Sequence, residues 1–359
     1  MRILILKYRN IGDVILITPL IRILKSYFNN CEIDIGLNRG TEDLISKNNN
    51  IRNLIIFDRE KIKSMNTLFR IYHELNYILS FKKKKYDIVI NLTEGDRGAF
   101  ISLLSFAKIR IGERKKWLHY FSYNSNLSQQ NDMHTVDFNL QPLSVLNIPI
   151  DKKYVTCSWD KDDINSLTNH FDTSMSYIHI HPVSRWLFKC IKNEIFAELI
   201  DFCEKELSKK VVITSSNNSN ELSKINQILK ICKSKPINLA GKLSLRETAV
   251  LNSHAELFIG VDTAIMHLSA ANNIDVVAFF GPSGAQHWGP WDNDKMNSGY
   301  TKRNGIQSMG RHTVFSEERS CQPCGKDGCD GSKVSDCLQK LDLAIVKDYI
   351  KEKIINAEK

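Results

Sequence analysis

Nowhere in the 359-residue chain does an apolar run approach the roughly 20 residues that span a bilayer. The opening residues are apolar, but Lys7, Arg9 and Asp13 interrupt them and no small-residue cleavage site follows. A secretory leader needs an unbroken apolar core and such a site, so the chain reads as intracellular. Two nucleotide signatures are also missing. No Gly-x-Gly-x-x-Gly follows a strand and no Walker A string occurs. These absences argue against a nicotinamide dehydrogenase and a P-loop NTPase. No RNP-type strand or recognition-helix pattern stands out, which argues against a nucleic-acid partner. Disulfide scaffolding is disfavoured too, because nine cysteines is an odd total for a large intracellular chain.

What is present fits an ordinary soluble protein of two domains. Hydrophobic residues make up 42%, enough for buried cores, and charged residues 25%. The net charge of +9 suits a polyanionic partner, whether nucleic acid, an anionic membrane surface or a phosphorylated saccharide. It equally suits plain solubility. The expected architecture is α/β. Short β-branched runs at 2–6, 31–37, 53–57, 86–92 and 108–112 alternate with helical spacing, as at 14–28 and 67–82. The pattern weakens over 113–160. It then restarts, with strands expected at 177–181, 210–215, 236–240, 256–260 and 275–279. Helices are expected at 193–207, 218–233, 244–254 and 264–271, with a closing one at 341–354. Strand–helix alternation implies parallel sheets. Two Rossmann-like domains, 1–158 and 159–359, imply a cleft, with ligands beyond the carboxyl ends of strands.

The loops at those ends carry the chemistry. The first strand runs into Lys7-Tyr8-Arg9-Asn10-Ile11-Gly12-Asp13. Asp13 either caps the next helix or takes a proton from a substrate hydroxyl. Thr18-Pro19 reads as a helix start or a kink. The loop after 177–181 holds Ser184, Arg185 and Lys189, one hydroxyl and two cations suited to a diphosphate. After 256–260 come Asp262-Thr263-Ala264, opening a small-residue helix whose free amides would face an anion. His267 lies one turn further on the face of Thr263. Another strand-end turn follows at 280–284.

Gly12-Asp13 with Thr18-Pro19, the Ser184–Lys189 loop and Gly260-Val261-Asp262-Thr263 through His267 resemble the ADP-heptose:lipopolysaccharide heptosyltransferases. The resemblance covers nearly the whole chain. Stretches 181–189, 281–291 and 321–329 point to one branch in particular. The resemblance implies a GT-B fold, with the acceptor in the first domain, the donor in the second and a closing carboxyl-terminal helix. It implies inversion at the anomeric carbon with no catalytic metal or other cofactor. By the resemblance Asp13 is the base, and Ser184, Lys189, Thr263 and Ala264 contact the diphosphate. Asp262 holds donor sugar or ribose, with Gly12 and Arg185 beside the donor and Lys189 aiding catalysis. His267 matches a motif position of open role, and Glu221 matches a nucleoside-contacting acid. Val183 and Ala264 depart from relatives that often carry a hydroxyl and a glycine there.

The implied partners are ADP-heptose and a lipid A–Kdo–heptose core acceptor, with the enzyme peripheral at the inner face of the inner membrane. Lys7, Arg110, Arg114 and Lys115 are the expected acceptor contacts. Lys116 and the aromatics Trp117, Tyr120 and Phe121 interleave, and Arg59, Lys61 and Lys63 form another basic group. The alternative is solvated basic loops. Cys321, Cys324, Cys329 and Cys337 read as a structural zinc site or as reduced packing thiols. Two other activities fit the motifs: another inner-core heptosyltransferase, or a GT-B nucleotide-sugar 2-epimerase. A basic nucleic-acid-binding protein is the reading outside enzymology.

Overall fold

Strands as continuously apolar as Ile3-Leu4-Ile5-Leu6 are stable only when both sheet faces are covered. In the computed structural model, which describes residues 1–130 and 133–357, all four of these side chains are fully buried. The chain divides into two units, Met1–Ser158 and Trp159–Lys359.

The first unit is a six-stranded parallel sheet. Its strands are β1 (Arg2–Leu6), β2 (Glu32–Asn38), β3 (Asn53–Phe57), β4 (Ile88–Asn91), β5 (Ile109–Gly112) and β6 (Ser125–Asn126), in the order β3-β2-β1-β4-β5-β6. The second unit holds β7 (Tyr177–His181), β8 (Lys210–Ile213), β9 (Ile237–Asn238), β10 (Leu257–Val261), β11 (Asp275–Phe279), β12 (Gln307–Met309) and β13 (His312–Phe315). Their order is β12-β13-β11-β10-β7-β8-β9, with only the β12–β13 pair antiparallel. Leaving out edge strand β12, both sheets have the doubly wound 3-2-1-4-5-6 order. Each therefore reverses its winding direction between its first and fourth strands, β1/β4 and β7/β10, and opens a crevice there.

Several elements differ from expectation. The helix expected over 14–28 is two, Ile11–Ile15 and Thr18–Tyr27, with Pro19 in the first turn of the second. The Thr18 hydroxyl donates to the Ile15 carbonyl at 2.8 Å, filling one group left open by the break. The helix expected over 193–207 is α-helical only over Asn193–Asp201 and widens to π geometry over Phe202–Glu206. The weak stretch contains helices Trp117–Ser122 and Thr135–Val145, the latter with Pro142 inside it. The closing helix is Leu343–Ala357, and it sends Val346, Ile350 and Ile354 into the second unit's core. No described helix is long and apolar enough to cross a membrane.

Candidate active site

At the second unit's reversal point, Gly260 of β10 faces His181 of β7 across the sheet. A Cβ on Gly260 would lie 2.9 Å from the His181 carbonyl and 2.6 Å from the Phe258 ring, so only glycine fits there. Beyond this pair the two loops meet. The Lys189 ammonium donates to the Asp262 carboxylate at 2.5 Å, across 73 residues of sequence. Burial alone would raise the Asp262 carboxyl. The Lys189 charge and hydrogen bond, a bond from Ser283 and the field of His267 outweigh it and hold the group below the usual carboxylate range.

Thr263 occupies the N-cap position of the helix Ala264–Ala271, yet its side chain makes no capping bond. Its hydroxyl is buried without a partner among the described residues. Such a group costs about 1–3 kcal/mol unless a ligand satisfies it. It stands where the helix amides and dipole favour an anion. Ser184 is buried, and its Oγ accepts from the Trp186 amide at 3.2 Å. Ala264 is the first helical residue and His267 is buried one turn on. Arg185 is exposed, its guanidinium 5.6 Å from the Trp186 ring centre. It is the one expected donor cation that the structure leaves in solvent. Val183 is fully buried in the core, so a hydroxyl there would have to be partnered inside apolar packing. Glu221 is buried, and its Oε2 accepts from the Ser216 amide at 2.9 Å, past the end of β8.

Under these loops sit two imidazoles that the sequence reading passed over. His179 Nε2 and His181 Nδ1 both meet the Thr214 hydroxyl, at 2.7 and 2.9 Å. Burial pushes His181 down to about 4 and His179 further below its ordinary value, so both are neutral. They fasten β7 to the end of β8 and hold no charge.

The first unit's reversal point joins the ends of β1 and β4. The Lys7 ammonium donates to Asn139 Oδ1 at 3.0 Å and to the Leu92 carbonyl at 3.4 Å. Burial pulls it down to about 8, against the raising field of Asp13. The Tyr8 amide donates to the Thr93 hydroxyl at 2.8 Å. Gly12 is buried, and Asp13 is the third residue of the helix Ile11–Ile15. Its carboxylate accepts from the Asn10 amide at 3.2 Å and from Arg9 Nε at 3.4 Å. The capping reading is therefore part of the answer: Asp13 closes a capping box with Asn10. The same carboxylate lies past the end of β1, where the sheet reverses its winding, so the cap does not exclude a second role.

The basic groups expected to hold an acceptor are largely engaged. Arg110 donates to the carbonyls of Ser122 and Ala107, both at 2.8 Å, and Arg114 to that of Tyr123 at 2.7 Å. Lys115 pairs with Glu94 at 2.8 Å and Glu113 at 3.1 Å, and Lys116 with Asp96 at 3.1 Å. Arg110 and Arg114 fasten the Trp117–Ser122 helix to the sheet edge. Lys115 reaches Glu94, and that bond holds the Glu94 carboxyl below its ordinary value.

The four cysteines read as a zinc site or as packing thiols lie near the carboxyl-terminal end of the second unit. Among the described residues no three His, Cys, Asp or Glu side chains are placed to hold a metal ion. Cys321 and Cys324 face solvent, Cys329 is half-buried and Cys337 packs into the core. Burial pushes the Cys337 thiol up to about 11, and its neighbours' thiols push further. Two Asp-x-Asp strings passed over in the sequence also have local tasks. Asp160 caps the helix Lys161–Thr168, and Asp292 accepts from the Arg311 amide at 2.8 Å.

Two doubly wound sheets, each with its crevice beyond strand ends, give the chain a GT-B fold. Solved structures share this fold over the whole chain. A glycosyl transferase family 9 protein from Veillonella parvula superposes with TM-score 0.81 at 20% identity, covering 99% of this chain and 97% of its own. The ADP-heptose LPS heptosyltransferase II of E. coli superposes with TM-score 0.75 at 18% identity, covering both chains completely. Residues 75–318 match the model for glycosyltransferase family 9 (heptosyltransferase). Lipopolysaccharide heptosyltransferase 3 of Escherichia coli is 30% identical over 293 residues, 79% of this chain and 84% of its own. The chain belongs to glycosyltransferase family 9, the heptosyltransferases.

Proposed function

We propose that this enzyme transfers heptose from ADP-heptose to a heptose of the lipopolysaccharide inner core, as the third heptosyltransferase of that sequence of additions. Family membership and the relatives named heptosyltransferase 3 support the reaction class. The observation that carries the donor assignment is the Thr263 hydroxyl, buried without a partner beside the Lys189–Asp262 pair and a helix start.

The second unit takes the donor. Lys189, Ser184, the Thr263 hydroxyl and the amides near Ala264 receive the diphosphate, and Asp262 takes hydroxyls of the sugar or ribose. The first unit takes the acceptor. An acceptor hydroxyl attacks the anomeric carbon, and its proton passes to the Asp13 carboxylate. The new glycosidic bond forms as the bond from that carbon to the diphosphate oxygen breaks. ADP leaves with the electron pair, and the configuration inverts. Fixed donors facing the departing charge typically contribute about 3–4 kcal/mol each. On this reading no divalent ion is needed, because the cation and helix amides meet the developing charge. The enzyme works at the cytoplasmic face of the inner membrane of a Gram-negative cell, where its lipid-linked acceptor lies.

An ADP-release assay with ADP-heptose and core acceptors carrying zero, one or two heptoses tests this. Turnover is expected only with the two-heptose acceptor. Turnover with a shorter acceptor reassigns the step within the pathway, and no release with any acceptor removes the donor assignment.

A further inference from the structure

The helix Thr67–Ser80 presents its apolar stripe to water. At 100° per residue, Leu68, Ile71, Tyr72, Leu75 and Leu79 fall within an arc of about 100°. In a surface helix that arc faces the core. Here these side chains are 80%, 50%, 61%, 51% and 47% exposed. The helix docks through another side. Tyr77 packs on Phe57 and Phe81, with ring centres 4.9 and 5.2 Å apart, and Ile78 is buried. Glu74 holds Arg97 at 2.7 Å. The outward stripe is thus fixed by the contacts on the adjoining face.

Cations stand at both ends of the stripe. Arg59, Lys61 and Lys63 lie on the short helix Arg59–Lys63 that precedes it. Lys82, Lys83 and Lys85 follow it directly. All six are exposed, and none forms an ion pair among the described residues. This sets them apart from Lys115 and Lys116, which pair with carboxylates. Two further helices pack in succession beside this one, Asp96–Leu104 and Trp117–Ser122. They add exposed aromatic rings: Phe100 at 41%, Trp117 at 76% and Phe121 at 64%.

We propose that this face of the first unit docks on an anionic phospholipid bilayer, the stripe at the acyl boundary and the flanking lysines among the headgroups. A 14-residue helix is about 21 Å long, too short to span the roughly 30 Å hydrocarbon core but suited to lying in its surface. Charge complementarity chooses the occupant. A second copy seated on this face would set like-charged clusters against one another, whereas anionic headgroups neutralise them. The inference rests on the membrane-side reading above and names the surface that reading requires.

The test is sedimentation of the full chain with phosphatidylglycerol-containing vesicles and with pure phosphatidylcholine vesicles. Binding is expected to the first, weakening as salt screens the lysines. The variant Leu68→Ser/Leu75→Ser/Leu79→Ser changes only exposed side chains and is expected to keep its melting temperature while losing vesicle binding. Lys82→Glu/Lys83→Glu/Lys85→Glu is expected to lose affinity by about fivefold or more for each cation reversed. Both variants are expected to keep full turnover on a deacylated, soluble acceptor. A wild type that ignores anionic vesicles, or variants that bind them as it does, overturns the proposal. So does a stripe variant that only converts a dimer to a monomer, which would assign the face to a second copy. Absent turnover on every acceptor would count against the catalytic reading and leave the vesicle result standing.

Discussion

Both units carry the same strand order, so both open a crevice at the same topological place, yet the chain equips the two crevices in opposite ways. In the first, the polar groups satisfy one another. Lys7 is held by Asn139 and Leu92, Asp13 by Asn10 and Arg9, and Tyr8 by Thr93. In the second, Lys189 and Asp262 are paired, but the Thr263 hydroxyl and the helix start beside it are not matched internally. The topology therefore supplies a location, and the side chains decide its use. On the proposed reading, one crevice holds a carboxylate that would receive a proton. The other keeps an unmatched hydroxyl and helix start that would receive an anion.

The sharpest division of the two is Asp13→Asn. Asparagine retains an oxygen for the Asn10 amide, so the cap survives while the base is lost. A fall in kcat of about 10²–10⁴-fold is expected, with unchanged melting and unchanged ADP-heptose binding. Asp13→Ala should lose turnover as well while still binding donor. Wild-type kcat in Asp13→Asn would reduce the residue to a cap and erase the contrast.

Next in size is Lys189→Ala, expected to lower kcat by about 10²–10³-fold. It also leaves Asp262 buried without its cation, so melting should fall. Lys189→Ala/Asp262→Asn should recover the melting temperature and not the activity. If activity returned with stability, the pair would serve folding alone. Smaller still is Thr263→Val. ADP affinity is expected to fall about tenfold by calorimetry, with melting unchanged because the hydroxyl has nothing to lose in the free enzyme. A destabilised Thr263→Val would mean that the second crevice is as self-satisfied as the first.

The mildest effect is on pH dependence. His181 has a folded value near 4, below its ordinary 6.5, because burial favours the neutral ring. The stability it contributes is whole above about 6.5 and is lost as pH falls toward 4. Melting should decline over that window, and histidine proton shifts should show His179 and His181 uncharged at pH 5. Titration of either near 6.5 would contradict the neutral clasp under the second crevice.

The sequence made the second crevice more legible than the first. The run through Gly260 and Val261 into Asp-Thr and a small-residue helix points to an anion site, and strands β7 and β11 lie where alternation put them. The Lys189–Asp262 contact spans 73 residues, so only topology brings it about. In the first unit, Asp13 looked like the start of a helix that begins two residues earlier at Ile11, because nothing local fixes where Asn10 turns. Thr135–Val145 was hidden by Pro142 and by its N-cap His134, which is not a usual capping type. Strand β12 has three residues, too few for periodicity to register. The basic residues 110–116 were legible only in part. Their charge was visible, but the carbonyls and carboxylates that absorb it come from folding.

The outward stripe of Thr67–Ser80 also bears on how the free enzyme behaves in solution. Apolar side chains turned to water attract their own kind on other molecules. At low ionic strength the net charge of +9 keeps molecules apart, because the repulsion reaches beyond contact distance. Added salt shortens that reach to about 10 Å at 0.1 M while leaving the apolar attraction intact. The conditions expected to weaken the proposed docking on an anionic bilayer are therefore the ones in which concentrated samples are expected to self-associate. Colloidal stability and the proposed docking would draw on the same charges.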